Sequence, residues 1–321
     1  MSGIIRAVCR SSIKGVRKEP VPEVTLIEDY GIEGDAHAGK WHRQISLLSY
    51  EKVEEFNKKG ARVEDGDFGE NLLVSGINFR KLPVGTRFRI RSAESESLPE
   101  ASGNDVVLEL TQVGKACHTE CAIKQRVGVC IMPTEGVCAK VISGGTIRPG
   151  DVVKVEAPDP QRPFTAAVIT LSDRAYKGVY EDKSGPEAAR ILTENGYEVL
   201  ETILLPDDPE ALKRELARLA DQRQVSLIVT SGGTGFSERD QTPEATMAVA
   251  DRNAPGIAEA IRVRSLAVTD HAMLSRGASV IRKKTLIVNL PGSAKAVRES
   301  LGFILGALPH GLGILRGTAD N

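Results

Sequence analysis

Residues Val225 to Thr246 read VSLIVTSGGTGFSERDQTPEAT. VSLIVT is a short apolar run rich in β-branched residues, the pattern of a buried strand. Gly232, Gly233 and Gly235 then fall so close together that neither a helix nor a strand interior could continue. Thr242 and Pro243 open a helix, because proline is well placed in a first turn. Strand, glycine turn and helix in immediate succession form one unit of an α/β sheet. Ligands of such sheets collect at the carboxyl ends of the strands.

At a strand end, glycines let backbone N–H groups approach an anion closely, and Ser231 and Thr234 add hydroxyl donors. The spacing is not that of a P-loop, since no Gly-Lys-Ser/Thr follows, and it is not GxGxxG. A plain strand-to-helix turn is the other reading of the same residues.

The same rhythm runs outward in both directions. AAVITLSD, EVLETILLP and TLIVNLPGS each read as a strand followed by a turn. SGPEAARILTEN opens a helix with Ser184 and Glu187 at capping-box spacing and Pro186 in the first turn. Asp208 before Pro209 starts a helix through Arg218, and another begins at about Ala294. The strand ends carry Ser172, Asp173 and Arg174; Asp207 and Asp208; and Asn289, Gly292 and Ser293. Asp208 reads as a helix N-cap. Asp207 and Asp240 do not directly precede a helix-starting proline. Two carboxylates beside a phosphate loop would repel the anion unless a divalent cation lies between them, and Mg²⁺ suits one or two carboxylates plus phosphate oxygens. Solvated surface aspartates are the plain alternative.

The chain has 321 residues, enough for two domains, and EAPDPQRPF (Glu156 to Phe164) marks the break with three prolines that favour an extended spacer. The expected division is 1–156, a proline-rich linker at 157–163, and 164–321. Before the linker, VGTRFRI, VVLEL and DVVKVE give a β-rich texture, with a helix near Ser49 to Lys59. Ser92 to Asp105 is polar and acidic and reads as a long hairpin loop. A composition of 41% hydrophobic and 26% charged residues with net charge −1 predicts a soluble globular protein with no nucleic-acid or membrane-surface role. No apolar run approaches the ~18 residues of a membrane span. MSGIIRAVCRSSIKGV shows no signal-peptide pattern. Five cysteines, an odd number in a long chain, predict reduced thiols and a cytoplasmic location. Cys117, Cys121, Cys130 and Cys138 cluster around His118, yet their spacings form no paired CxxC knuckles, so core packing competes with a zinc site. Cys138 sits in an apolar run, as a core thiol would. Lys115 and His118 flank Cys117, and positive neighbours raise a thiol's thiolate fraction.

LSDRAYKGVYEDKSGP, LPDD, TSGGTGFSERDQTPEAT, LSRG and NLPGSAKAV, in this order, resemble the molybdopterin adenylyltransferase family over about residues 164–315. The resemblance implies a three-layer, trimeric α/β domain with a mostly parallel sheet that transfers AMP from Mg·ATP to the terminal phosphate of molybdopterin and releases pyrophosphate. Carried over by motif, Asp207 and Asp240 are the Mg²⁺-linked catalytic pair. Ser231, Gly232, Gly233, Thr234 and Gly235 hold phosphate. Ser172, Asp173, Ser184 and Gly185 line the nucleotide region, and Asn289, Pro291, Gly292 and Ser293 the substrate side. Phe236 stands where many bacterial transferases have proline. GIEGDAHAG, DFGENLLVSGI, LPVGTRF, GKACH and GGTIRPGDVV resemble the MOSC domain over roughly residues 1–156. That likeness implies a β-barrel that binds the pterin cofactor or its molybdenum, or delivers sulfur, with Cys117 as the catalytic sulfur-bearing thiol and Asp35, His37, Glu70 and Asn71 in its motifs. Turn and capping roles are the plain reading of those four.

The combined expectation is an enzyme of molybdenum cofactor biosynthesis, with ATP and molybdopterin as substrates and Mg²⁺ as the cation. A sulfur donor and a molybdenum-insertion protein are the implied partners, and the second domain the trimer contact. Nothing in the pattern calls for pyridoxal phosphate. The rival is a non-catalytic module that binds and delivers molybdopterin or the finished cofactor.

Overall fold

The computed structural model describes residues 1–92, 105–115 and 128–319, and the chain divides into two compact units, Met1–Asp159 and Pro160–Asn321. Among the described residues no helix is long and apolar enough to cross a membrane. The expected loop between Ser92 and Asp105 falls almost wholly outside the described residues, as do Cys117, His118 and Cys121.

The first unit is built on β1 (Ser2–Arg10), β2 (Glu19–Val21), β3 (Val24–Ile27), β4 (Gly31–Ile32), β5 (Ile45–Ser49), β6 (Leu72–Ser75), β7 (Arg87–Arg91), β8 (Val106–Val113), β9 (Val137–Ser143), β10 (Gly145–Ile147) and β11 (Val152–Glu156). Its main sheet runs β11-β7-β8-β9-β5-β6-β1-β2, and β11 also pairs with β1, closing a barrel. Closure removes the edges that an open sheet would expose. Ile5, Leu47, Leu72, Phe88, Leu108 and Val153 fill the interior. Helix α1 (Tyr50–Lys58) leaves β5 and buries Val53. A one-turn helix, α2 (Met132–Glu135), precedes β9.

The second unit contains β12 (Thr165–Leu171), α3 (Asp173–Tyr176), α4 (Ser184–Glu194), β13 (Glu198–Leu205), α5 (Pro209–Asp221), β14 (Leu227–Ser231), α6 (Thr242–Ala248), β15 (Arg252–Asn253), α7 (Pro255–Leu266), β16 (Ser279–Arg282), β17 (Thr285–Leu290), α8 (Ala294–Ile304) and α9 (Leu308–Arg316). Ala166 and Val168 face α4 and α8, whereas Ala167 and Ile169 face α5, so β12 is covered on both sides and its stretch 166–169 is continuously apolar.

One expectation is refined here and another corrected. The sheet, ordered β13-β12-β14-β17-β16-β15, is mixed: β13, β12, β14 and β17 run parallel, β16 pairs antiparallel with β17, and β15 pairs antiparallel with β16. Only Lys283 and Lys284 separate β16 from β17, with Lys283 at φ 51°, and so short a connection can only return the chain antiparallel. The capping box at Ser184 does not form. Asp182 Oδ1 instead accepts the N–H groups of Ser184 (2.9 Å) and Gly185 (3.2 Å), and Glu187 pairs with Arg190 and Arg298. The Asp208 cap does form, its carboxylate accepting from Glu210 N and Ala211 N.

Candidate functional site

Because β13, β12, β14 and β17 are parallel, their carboxyl ends and the segments that follow lie on one edge of the sheet. A cavity of about 610 Å³ opens there, lined by Ser172, Ser184, Asp207, Gly233, Asp240 and Gly292, among others. Four widely separated stretches of sequence thus meet in one place.

The acidic residues are held by backbone. Asp207 Oδ2 accepts the Asp173 N–H (2.9 Å) and Asp173 Oδ1 accepts the Asp207 N–H (3.1 Å). Arg239 forms an ion pair with Asp173 and donates to the Asp207 carbonyl at 3.3 Å. Asp240 Oδ2 accepts the Ser237 N–H at 3.2 Å, closing a tight turn. Among the described residues, no hydrogen bond occupies the second oxygen of Asp207 or of Asp240.

The glycine loop has the geometry of an anion cradle. Gly232 and Gly233 have φ of 102° and 64°. A Cβ on Gly232 would lie 2.3 Å from the Leu171 carbonyl oxygen, and one on Gly233 2.3 Å from Thr242 Oγ1, so no side chain is accommodated at either. Among the described residues, the N–H groups of Gly233, Thr234, Gly235 and Phe236 meet no protein acceptor. The hydroxyls of Thr170 and Thr242 are buried beside the cavity and also lack a protein partner. A run of unanswered donors at a strand end suits phosphate oxygens. The donor set also suits Mg²⁺: hard carboxylate oxygens from Asp207 and Asp240 would hold it, completed by substrate phosphate. No group of three or more His, Cys, Asp or Glu assembles among the described residues, so a cage made of protein ligands alone is not part of this site.

Other expected residues take distinct places. Ser172 caps α3 through the Ala175 N–H and shares a 2.8 Å hydrogen bond with Tyr180 Oη. Ser184 donates to Asp182 at 2.9 Å. Ser231 Oγ donates to the Pro291 carbonyl at 3.1 Å, joining the ends of β14 and β17. Pro291, Thr234 and Gly235 line a neighbouring, more apolar cleft of about 430 Å³ with the exposed Phe236. Ser293 caps α8. Asn289 is not on the cavity wall: it is buried, donating to Thr230 and Thr246 at 2.9 Å and accepting from Ala278 N. Sequence reasoning left Thr170, Tyr180, Asp182 and Lys183 without a role, yet all four line the cavity. Tyr180 to Lys183 belonged to a recognised motif; Thr170, inside an apolar strand, gave no local signal.

In the barrel, Asp35, Glu70 and Asn71 are buried with Lys18. Lys18 Nζ lies 2.7 and 2.9 Å from the two Asp35 oxygens, and Asn71 Nδ2 donates to Asp35 at 3.1 Å. His37 Nδ1 is 3.4 Å from Asp35. Burial alone would raise the Asp35 carboxyl, but hydrogen bonds from His37 and the Lys18 charge hold it well below the usual carboxylate range. Glu70 accepts from the N–H groups of Gly66 (2.7 Å) and Phe68 (3.1 Å), yet burial pushes its carboxyl up to about 7. Cys9 and Cys138 are buried thiols and Cys130 is half-buried.

The strand ends of this α/β unit present a glycine loop with unanswered N–H groups and two carboxylates, a donor set suited to a nucleotide or another phosphoester. Residues 167–310 match the family described as "Probable molybdopterin binding domain", and residues 34–154 match the MOSC domain. A molybdopterin adenylyltransferase from Helicobacter pylori (strain ATCC 700392 / 26695) is 40% identical over 153 residues, 47% of this chain and 87% of that protein. One from Escherichia coli (strain K12) is 45% identical over 137 residues, 42% of this chain and 70% of that protein. The crystal structure of a molybdopterin biosynthesis enzyme, MoaB, from Thermus thermophilus is 41% identical and covers 49% of this chain and 99% of its own, with a TM-score of 0.47. The chain belongs, through its second unit, to the molybdopterin adenylyltransferases, a family of nucleotidyltransferases, and carries a MOSC domain in its first.

Proposed function

We propose that the second unit transfers AMP from Mg·ATP to the terminal phosphate of molybdopterin, as a step of molybdenum cofactor biosynthesis. A phosphate oxygen of the pterin attacks the α-phosphorus of ATP, a P–O bond forms, the α–β bridge breaks, and its electron pair leaves with pyrophosphate. A phosphate anion is already nucleophilic, so alignment and charge neutralisation are what the protein must supply. The unanswered N–H groups of Gly233 to Phe236 would bind phosphate oxygens, and Ser172 and Ser184 would face the nucleotide. Asp207 and Asp240 would hold Mg²⁺, which when bound offsets charge on the phosphates. The observation that carries this reading is the convergence of the two aspartates and Gly233, at the start of the glycine loop, on one cavity.

The barrel would bind the pterin cofactor or its molybdenum, or deliver sulfur through Cys117, with a sulfur donor and a molybdenum-insertion protein as partners. Tethering the two units would raise the effective concentration of a shared intermediate. The protein would act in the cytoplasm as a trimer assembled through the second unit. Incubating the full chain with molybdopterin and Mg·ATP should yield adenylylated pterin and pyrophosphate in equal amounts. Tight pterin binding without either product would assign the carrier role instead.

A further inference from the structure

Arg276 belongs to the LSRG stretch, to which neither the fold nor the proposed chemistry has given a role. Its backbone N–H donates to the Thr234 carbonyl at 3.0 Å and its Nε to the Gly235 carbonyl at 2.8 Å. Nη2 donates to the Asp240 carbonyl, and the guanidinium also pairs with Glu244, in the first turn of α6. One side chain therefore joins the glycine end of the loop, its aspartate end and the helix that follows. Between those anchors the apex is open to solvent, Phe236 being 71% exposed. The loop's other ties are Arg239, which reaches Asp173 and the Asp207 carbonyl, and local bonds such as Ser237 N to Asp240 and Thr242 N to the Gly233 carbonyl.

Peptide planarity gives this clamp a consequence. In a trans peptide the C=O and the next residue's N–H point in opposite directions. Drawing the Thr234 and Gly235 carbonyls toward Arg276 turns the N–H groups of Gly235 and Phe236 the other way, and these two N–H groups lack a protein acceptor. Pinning the Asp240 carbonyl likewise fixes the backbone from which its carboxylate projects. We propose that Arg276 is a positioning residue: it aims the loop N–H groups and sets Asp240 against Asp207. The inference rests on the AMP transfer proposed above for its catalytic consequence. A lysine cannot replace it, because an ammonium lacks the planar fork that meets several acceptors at once.

The test uses the full chain with Arg276→Ala and Arg276→Lys. Amide hydrogen exchange of peptides covering 232–246 in the ligand-free protein should speed up tenfold or more in Arg276→Ala, with peptides from β12 and α5 unchanged. In AMP transfer, kcat should fall at least tenfold and the half-saturating Mg²⁺ concentration should rise, while KM for molybdopterin changes less than threefold. Arg276→Lys should recover only part of either loss. Wild-type loop exchange together with wild-type kcat and Mg²⁺ dependence in Arg276→Ala would overturn the assignment; if that variant does not fold, the same result in Arg276→Lys would overturn it. Should the wild-type chain make no adenylylated pterin, the function proposed above fails, and the exchange measurement still decides whether Arg276 holds the loop.

Discussion

Asp173 and Asp207 hold each other reciprocally: each carboxylate accepts the other's backbone N–H, at 2.9 and 3.1 Å. The pair fastens the end of β12 to the end of β13, so the position of Asp207 follows from the sheet and not from its own rotamer. Arg239, one residue before Asp240, ties into the same pair.

Asp207→Asn retains an oxygen for the Asp173 N–H but loses the charge proposed to hold Mg²⁺. We expect AMP transfer to fall on the order of a hundredfold or more with the fold intact, and Asp240→Asn to behave alike. The neighbouring Asp208→Ala should instead cost about 1 kcal/mol of stability through the lost cap, with near wild-type turnover. Rates and melting temperatures of the three variants check this, and a dead Asp208→Ala beside an active Asp207→Asn would reverse the assignment.

Gly233→Val should abolish measurable ATP binding. Its Cβ would start 2.3 Å from Thr242 Oγ1, at a φ of 64° that a β-branched residue resists. Calorimetry on the folded variant is the measurement, and wild-type affinity there would rule out an anion cradle.

The barrel should lose stability as pH rises through neutrality. Burial raises the Glu70 carboxyl to about 7, above its unfolded value, so the folded state binds the proton more tightly. Its contribution is fully present below about pH 4.5 and is lost as pH climbs through 7, to a limit of about 3 kcal/mol. Glu70→Gln should flatten this fall in unfolding curves recorded between pH 5 and 8; an unchanged slope would mean that Glu70 titrates alike in both states.

Iodoacetamide near neutral pH should leave Cys9 and Cys138 unlabelled. Cys9 is wholly buried, and burial, then the charge of Glu70, push its thiol far above the ordinary range. Cys138 is 3% exposed. Cys130, half-buried, should react slowly, and Cys117 first if it carries sulfur. Peptide mass spectrometry ranks all five, and early labelling of Cys138 would contradict the packing described above.

The sequence by itself determined the alternation of strand and helix in the second unit, the Asp208 cap and the glycine loop. Each is local: hydrophobic period, proline position and tolerance of positive φ are legible within a few residues. It also marked Asp207 and Asp240 as unusual, because two carboxylates beside a phosphate loop need a reason. Only the tertiary structure decided that these residues share one cavity, that Asn289 lies buried beneath the site, and that β16 turns back antiparallel on β17. It alone showed Asp182, not a Ser184–Glu187 box, answering the first N–H groups of α4, and Arg276 gripping a loop 36 residues upstream. Such relationships depend on which strand ends lie side by side, and strand order is set by burial across the whole sheet, which no short stretch of sequence encodes.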